Sequence, residues 1–446
     1  MNRLVGMIVV LAALLVTLVV ASWAFYLAAG WLAVGFAWLG LPPSFGATIA
    51  NVVTLMLVVL MLTAGLLTVA ERKWSALIQN RVGANRIRVF GSALGGIPFF
   101  VADALKMLTK ELTHPAARTK FLFDLAPVLS FAPVFALFAI IPVGSEVPLR
   151  AITGVQGDLG RLGVALQVAA PDAGLLYLFA IASIAVYGTS LAGWASNNKF
   201  ALLGAVRASS QMISYEVSLG LSLVGAMIAY RTLRLEGMVA AQGADVIGAV
   251  PAVGILLQPV GFLVFFASAF AESKRAPFDL PEGESEIVGY FVEYSGMQWG
   301  LMFLAEFAEI VVLAGVVTAV FLGGSHPIFF ETWLRQNLGP LAFASVGAGV
   351  FLAKMIVVMW LQMVIRWLLP RFRYDQIQKL CWKILLPVSL VNVFVTAAAV
   401  LADPSLGTLA WIGIVEIVAI VGVTAAASRA PAQAHDAGHA HAAAGH

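Results

Sequence analysis

Cysteine is almost absent. Cys381 is the only one in 446 residues, so no disulfide, zinc cluster or iron–sulfur centre can be built within this chain. Histidine is nearly as scarce. Outside the C-terminal tail there are only His114 and His326, and they read as lying on opposite sides of a membrane, which leaves no pair for a bis-histidine haem. Charge is thin as well: Asp, Glu, Lys and Arg make up 11% of the chain, against 61% hydrophobic residues. A soluble domain rarely goes so far in either direction. Redox chemistry here must use a mobile carrier or centres held by other chains.

What the sequence has is long apolar runs. Several exceed 18 residues, which predicts an all-α polytopic membrane protein. About ten spans are expected, near 4–29, 48–70, 121–142, 171–192, 210–230, 250–271, 296–322, 341–366, 382–402 and 407–427. The runs are too long and continuous for barrel strands, and an open sheet could not satisfy its backbone in lipid. No small-residue cleavage pattern follows the first run, so it is kept as a helix.

The placement of charge sets an orientation. One side carries the loops 71–120, 193–209, 272–295 and 367–381, which are rich in Lys and Arg. The other side holds only Arg150, Arg161, Arg231, Arg234 and Arg335. The positive-inside rule puts the basic side, and with it both termini, in the cytoplasm. No internal repeat stands out, which argues against inverted-repeat transporters.

The polar residues concentrate in those four basic loops and the adjoining helix ends. In the first, Ile97, Val101, Leu105, Leu108 and Leu112 recur at helical spacing, with Asp103, Lys106 and Lys110 on another face. Such a helix either anchors at the membrane surface or walls a slot for a polar head with a long tail. In the second, Glu216 falls one to two turns inside the membrane, where a carboxylate needs a partner such as Arg207 or a job. Glu306 and Glu309 lie three apart inside a later span and share a face. Lys354, in the span after that, could pair with one of them.

The third loop raises the sharpest question. AESKRAPFDLPEGESEIVGYFVEYSG, 271–296, gathers Glu272, Asp279, Glu282, Glu284, Glu286 and Glu293 between two spans. A charge run is usually a solvated face. Here Ile287, Val288, Tyr290, Phe291 and Val292 interleave with the acids, and so apolar a segment would pack and take the acids in with it. Crowded, buried carboxylates raise one another's pKa and hold protons near neutral pH. With Glu216, Glu306 and Glu309 they form the anatomy of a proton path. That suits an ion or solute transporter, or a membrane subunit coupling a partner's chemistry to proton movement.

These motifs resemble the H subunit of the proton-translocating NADH:quinone oxidoreductase, respiratory complex I, whose mitochondrial counterpart is subunit 1. The resemblance rests on the third loop and on ERKWSALIQNRVGANR, FVADALKMLTKE, AGWASNNKFALLGAVRASSQMISYEVSLGL, FLAEFAEI and LPRFRYDQIQKLCWKILLP, in the family's order. It covers about residues 48–402. It implies an eight-helix core whose cytoplasmic loops form much of a quinone access tunnel. Quinone is the substrate, while FMN and iron–sulfur clusters belong to partner subunits. The implied partners are peripheral quinone-module subunits, membrane-arm subunits and lipid, with no nucleic acid, in the bacterial cytoplasmic (inner) membrane. Carried over by position, Glu71, Arg72, Arg81, Asp103 and Lys106 should border the tunnel. Glu216, Asp279, Glu282, Glu284, Glu286, Glu293 and Glu306 should build an acidic coupling path. No metal site and no catalytic residue complete within this chain are implied.

The chain departs from the family pattern in places. Gly83, Ala84 and Asn85 stand where Gly-Pro-Asn is usual, the following segment is longer, and Phe99 replaces a common glutamine. One residue fewer separates Glu286 from Glu293, which in a helix would turn Glu293 by about 100°. Residues 1–47 read as an extra helix and periplasmic loop, 403–430 as an extra C-terminal helix, and 431–446 as a disordered Ala/His tail. The runner-up reading is the equivalent subunit of a membrane-bound hydrogenase or of a ferredoxin- or deazaflavin-linked dehydrogenase.

Overall fold

Apolar runs become helices here because a chain in lipid must satisfy its own backbone. The computed structural model describes residues 2–88, 91, 94–247, 250–283, 286–327 and 331–429. Glu284 and the tail 431–446 lie outside the described residues. In chain order the main helices begin with α1 (Asn2–Trp38) and α2 (Pro43–Ile78). A short α3 (Ile97–Thr109) follows within the first basic loop. Then come α4 (Lys120–Ala139), α5 (Gly174–Ala195), α6 (Lys199–Tyr230), α7 (Pro259–Glu272) and α8 (Gly296–Phe321). The last are α9 (Pro340–Leu368), α10 (Tyr374–Ala402) and α11 (Gly407–Arg429). Among the described residues, nine of these are long and apolar enough to cross a membrane, all but α3 and α7.

The tenth expected span, 250–271, is interrupted. Gln258, at φ −142° and ψ 57°, separates the helical turn Gly254–Leu257 from α7. Fourteen residues of α7 rise only about 21 Å, short of a hydrocarbon core of about 30 Å. The signal was Gln258-Pro259 within an apolar run, since proline removes a helix donor.

Among the described residues, strands are confined to two small antiparallel hairpins on the side away from the basic loops. β1 (Gly144–Pro148) pairs with β2 (Gly163–Leu166), with Val147 opposite Val164, and β3 (Asp245–Ile247) pairs with β4 (Val250–Pro251). α8 runs through the middle, and from Val311 to Phe321 it is buried on every face. A helix apolar all round belongs in a core. It carries Glu306 and Glu309 in with it.

α1 joins the bundle through its second half. Tyr26, Ala29 and Ala33 are buried, and the Tyr26 hydroxyl donates to the Ser145 carbonyl at 2.6 Å. Where α1 meets α2, a Cβ on Gly46 would lie 2.3 Å from the Leu32 carbonyl oxygen, so small residues set that approach, as is usual between membrane helices. Among the residues of α11 whose side chains are described, only Leu409, Ala410 and Gly413 are buried.

Lys354 does not pair with a buried glutamate. Its ammonium donates to the carbonyls of Leu322, Gly324 and His326 at 2.7, 3.0 and 2.8 Å. These carbonyls follow the C-terminus of α8, where helix-end acceptors and the negative dipole end attract a cation. All three N–H donors are spent there, on the side away from the acids.

Candidate functional site

The third basic loop folds inward because its neighbours hold it. Gln211 of α6 donates to the carbonyls of Ala271 and Phe278 at 2.7 and 2.9 Å, closing the start of the loop onto that helix. Gly204, also on α6, lies close against the backbone at Tyr290 and Pro281. The fourth loop clasps it from one side: Phe372 N–H donates to the Pro277 carbonyl, and Arg371 pairs with Asp279 at 3.0 Å. The first loop clasps it from another, through Thr113 N–H to the Ser295 hydroxyl at 2.8 Å. Ile287, Tyr290 and Tyr294 are buried as a result.

That folding joins the acids of three helices. A cavity of ≈ 40 Å³ is lined by Glu216 from α6, Glu272 from the end of α7, Glu309 from α8, and Lys274 and Tyr290 from the loop. Its volume suits about three to four waters at ~10–15 Å³ each, not a quinone. Glu216 accepts from the Ser183 hydroxyl, while Arg207, its expected partner, turns outward to Glu286 at 2.7 Å. Glu272 Oε2 is buried with no hydrogen-bond partner among the described residues. Lys274 has φ 54°, a left-handed conformation costing about 1–2 kcal/mol for a residue with a Cβ.

Electrostatics separate the loop's titratable groups. Burial pushes the Glu282 carboxyl well above the carboxylate range; Glu306, within hydrogen-bond range, and Asp279 push it further, against Arg275. Burial alone would lower Lys274, but Glu309, Glu306, Glu272 and Glu282 outweigh it and hold the ammonium above the ordinary lysine value. Burial also raises the Tyr290 phenol, as do Glu306 and Glu282, and its hydroxyl donates to Glu306 at 3.1 Å. Glu286 moves the other way: it is exposed, and Arg207 holds its carboxyl below the usual range.

A second site lies beside the first basic loop. The apolar stripe Ile97, Val101, Leu105, Leu108 and Leu112 is exposed, with Leu108 at the edge of the groove. Toward the bundle α3 turns Phe100, Asp103 and Met107, which with Gly300 and Phe303 of α8 line a groove of about 140 Å³. Asp103 is bound by Arg72 at 2.8 Å and Lys106 at 3.3 Å. Glu71 turns away from them. It is clamped between Arg366 and Arg275, the latter at 2.6 Å and only 8% exposed. The Arg275 guanidinium also lies 3.8 Å from the Phe307 ring centre. Phe303 and Phe307 are in edge contact, so α8 and Glu71 connect the groove to the acids.

The expected tunnel residues Arg72, Asp103 and Lys106 thus come together, and Glu71 bridges toward the loop. Arg81 stays exposed, bonded to Gln79 at 2.6 Å. Of the expected acidic set, Glu216 lines the cavity, and Glu282 and Glu306 meet beside it. Asp279 is held by Arg371, and Glu286 by Arg207 at the surface. Glu293 accepts from Asn198 at 2.6 Å, in a stretch of turns where no helical rotation applies. Glu272, Lys274 and Glu309 complete the cavity and were not in that set. Glu309 was legible from its spacing to Glu306, and Glu272 as a carboxylate ending an apolar helix. At the altered turn Ala84 takes φ 48°, which proline cannot adopt.

The NADH dehydrogenase family model matches residues 50–397. An NADH-quinone oxidoreductase H subunit of Cytophaga hutchinsonii is 40% identical over 352 residues, 78% of this chain and 96% of the relative. An H subunit of the same enzyme from Geobacter sulfurreducens is 43% identical over 345 residues, 77% of this chain and 94% of the relative. Both end helices extend beyond the family match. A matched family segment, membrane helices and relatives similar over nearly their whole length lead to one conclusion: the chain belongs to the family of NADH-quinone oxidoreductase H subunits, as a membrane subunit of complex I and not an enzyme by itself.

Proposed function

We propose that this chain guides quinone along the α3 groove and couples its reduction to proton translocation through the buried carboxylates. The observation that carries this is the cavity joining Glu216, Glu272, Lys274 and Glu309 across three helices. An apolar groove with Asp103, Arg72 and Lys106 at its edge suits a polar head on a long apolar tail. FMN and iron–sulfur clusters are held by partner subunits, and the peripheral subunits dock on the basic loops. The excess of Lys and Arg in those loops supports a cytoplasmic side for them, with both termini, in a bacterial inner membrane.

Charge moves are felt far in a site of low dielectric. A change of charge near the groove acts on Glu71 and its arginines, then on the Glu282–Glu306 pair. From there Lys274 and Tyr290 link it to Glu272, Glu309 and Glu216. The groups that change are protons on this chain's own carboxylates.

Glu216→Gln tests the reading. It should cut coupled NADH:quinone activity on the order of tenfold, equivalent to about 1.4 kcal/mol, with assembly and NADH oxidation by an artificial acceptor intact. Unchanged coupled activity and proton translocation would contradict it.

A further inference from the structure

The interruption at Gln258 parts two backbone groups. In a continuous helix the Val260 N–H would return to the Leu256 carbonyl, four residues earlier. Gln258 breaks that ladder, and Pro259 has no N–H to offer. On the inner side Gln258 is held by α10: its amide donates to the Thr396 hydroxyl at 2.5 Å and accepts from Asn392 at 2.7 Å. On the other side stands α11, beyond the family match that ends at residue 397. Gly413 passes the break so closely that a Cβ there would lie 1.8 Å from the Leu256 carbonyl oxygen. Glu416 is three residues on, and therefore on the same face. Its half-buried carboxylate lies toward the Val260 N–H. One face of α11 thus meets both groups that the interruption separates.

We propose that α11 is a brace on the interrupted helix, in which Gly413 permits the close approach and Glu416 is a positioning residue capping the N-terminus of α7. A carboxylate there satisfies an orphan donor and complements the helix dipole, and in lipid no water can substitute for it. The brace gives this intramembrane acid a partner. What it holds is the helix that ends in Glu272 and leads into Lys274 and Arg275. Any effect on turnover rests on the coupling role proposed above; the brace itself does not.

The test uses the assembled complex, with amide hydrogen exchange read by mass spectrometry alongside NADH:quinone turnover. Glu416→Leu should speed exchange in peptides spanning 254–265 by about tenfold, as for loss of one hydrogen bond to a charged group, and leave other helices unchanged. Glu416→Gln keeps an acceptor oxygen and should restore protection. Gly413→Ala forces a Cβ into the Leu256 carbonyl and should speed the same peptides. It also serves alone if Glu416→Leu does not accumulate. Unchanged exchange in Glu416→Leu, or in Gly413→Ala where that variant stands alone, overturns the brace. So does Glu416→Gln exchanging as fast as Glu416→Leu. Faster exchange with normal turnover supports the brace and counts against the coupling role of the helix it holds.

Discussion

Glu282 and Glu286 are four residues apart in one loop, and their surroundings make them opposites. Glu282 points into the bundle, meets Glu306 and is pushed toward its protonated form by burial. Glu286 sits on the outer surface, where Arg207 keeps it charged. The same contrast runs through the whole basic end. Glu216, Glu272 and Glu309 share a cavity with a lysine, whereas Glu71, Asp103 and Asp279 are each bound by arginine. An acidic loop therefore does two jobs. Its inner edge presents the acids that the proposed proton coupling would use, and its outer edge ties the loop to its neighbours.

The largest effect should come from breaking the tie between the two edges. Arg275→Leu removes the buried partner of the half-buried Glu71 and leaves it beside Arg366 alone. Breaking a buried ion pair from one side costs about 3–5 kcal/mol, so the amount of assembled complex in membranes should fall steeply on native gels. Next comes the inner edge itself. Glu282 has a raised pKa, so it keeps its proton where a free glutamate is charged and loses it only as pH climbs further. Glu282→Gln imitates the protonated form. Its coupled activity should match the unmodified chain best at the acid end of the pH–rate profile and fall behind as pH rises. A parallel profile at every pH would remove Glu282 from the path.

Smaller effects belong to the groove and the outer edge. Asp103→Asn removes the charge that Arg72 and Lys106 bind. It should raise the KM for quinone a few-fold, roughly the effect of a partly exposed ion pair, with kcat little changed. A defect in assembly alone would make α3 a simple anchor. Glu286→Gln should be nearly silent, within about twofold, because exposed pairs contribute little. A large loss of proton translocation in that variant would erase the distinction between the two edges.

Much of this was legible in the sequence, for physical reasons. Lipid forces apolar runs into helices, so nine of ten spans follow from length and hydropathy alone. The three-residue spacing of Glu306 and Glu309 puts them on one face without knowledge of the fold. Partner choice was not legible. Arg207 was the natural partner for Glu216 on the same helix, but it takes Glu286 from a loop 79 residues away. Lys354 looked like a counter-ion and proved to be a carbonyl clamp, because its place is set by where α8 ends. The direction α3 faces was hidden too. Its apolar stripe reads as core-facing in a soluble protein, yet it is exposed here.

The decisive experiment is proton translocation per electron, measured in closed membrane vesicles for Glu282→Gln and Glu286→Gln side by side. NADH oxidation by an artificial acceptor serves as the measure of intact complex. If the inner edge moves protons and the outer edge only ties the loop down, Glu282→Gln loses most of its translocation while Glu286→Gln keeps it. Equal translocation in the two, whether normal or lost, would contradict the division between inner and outer acids.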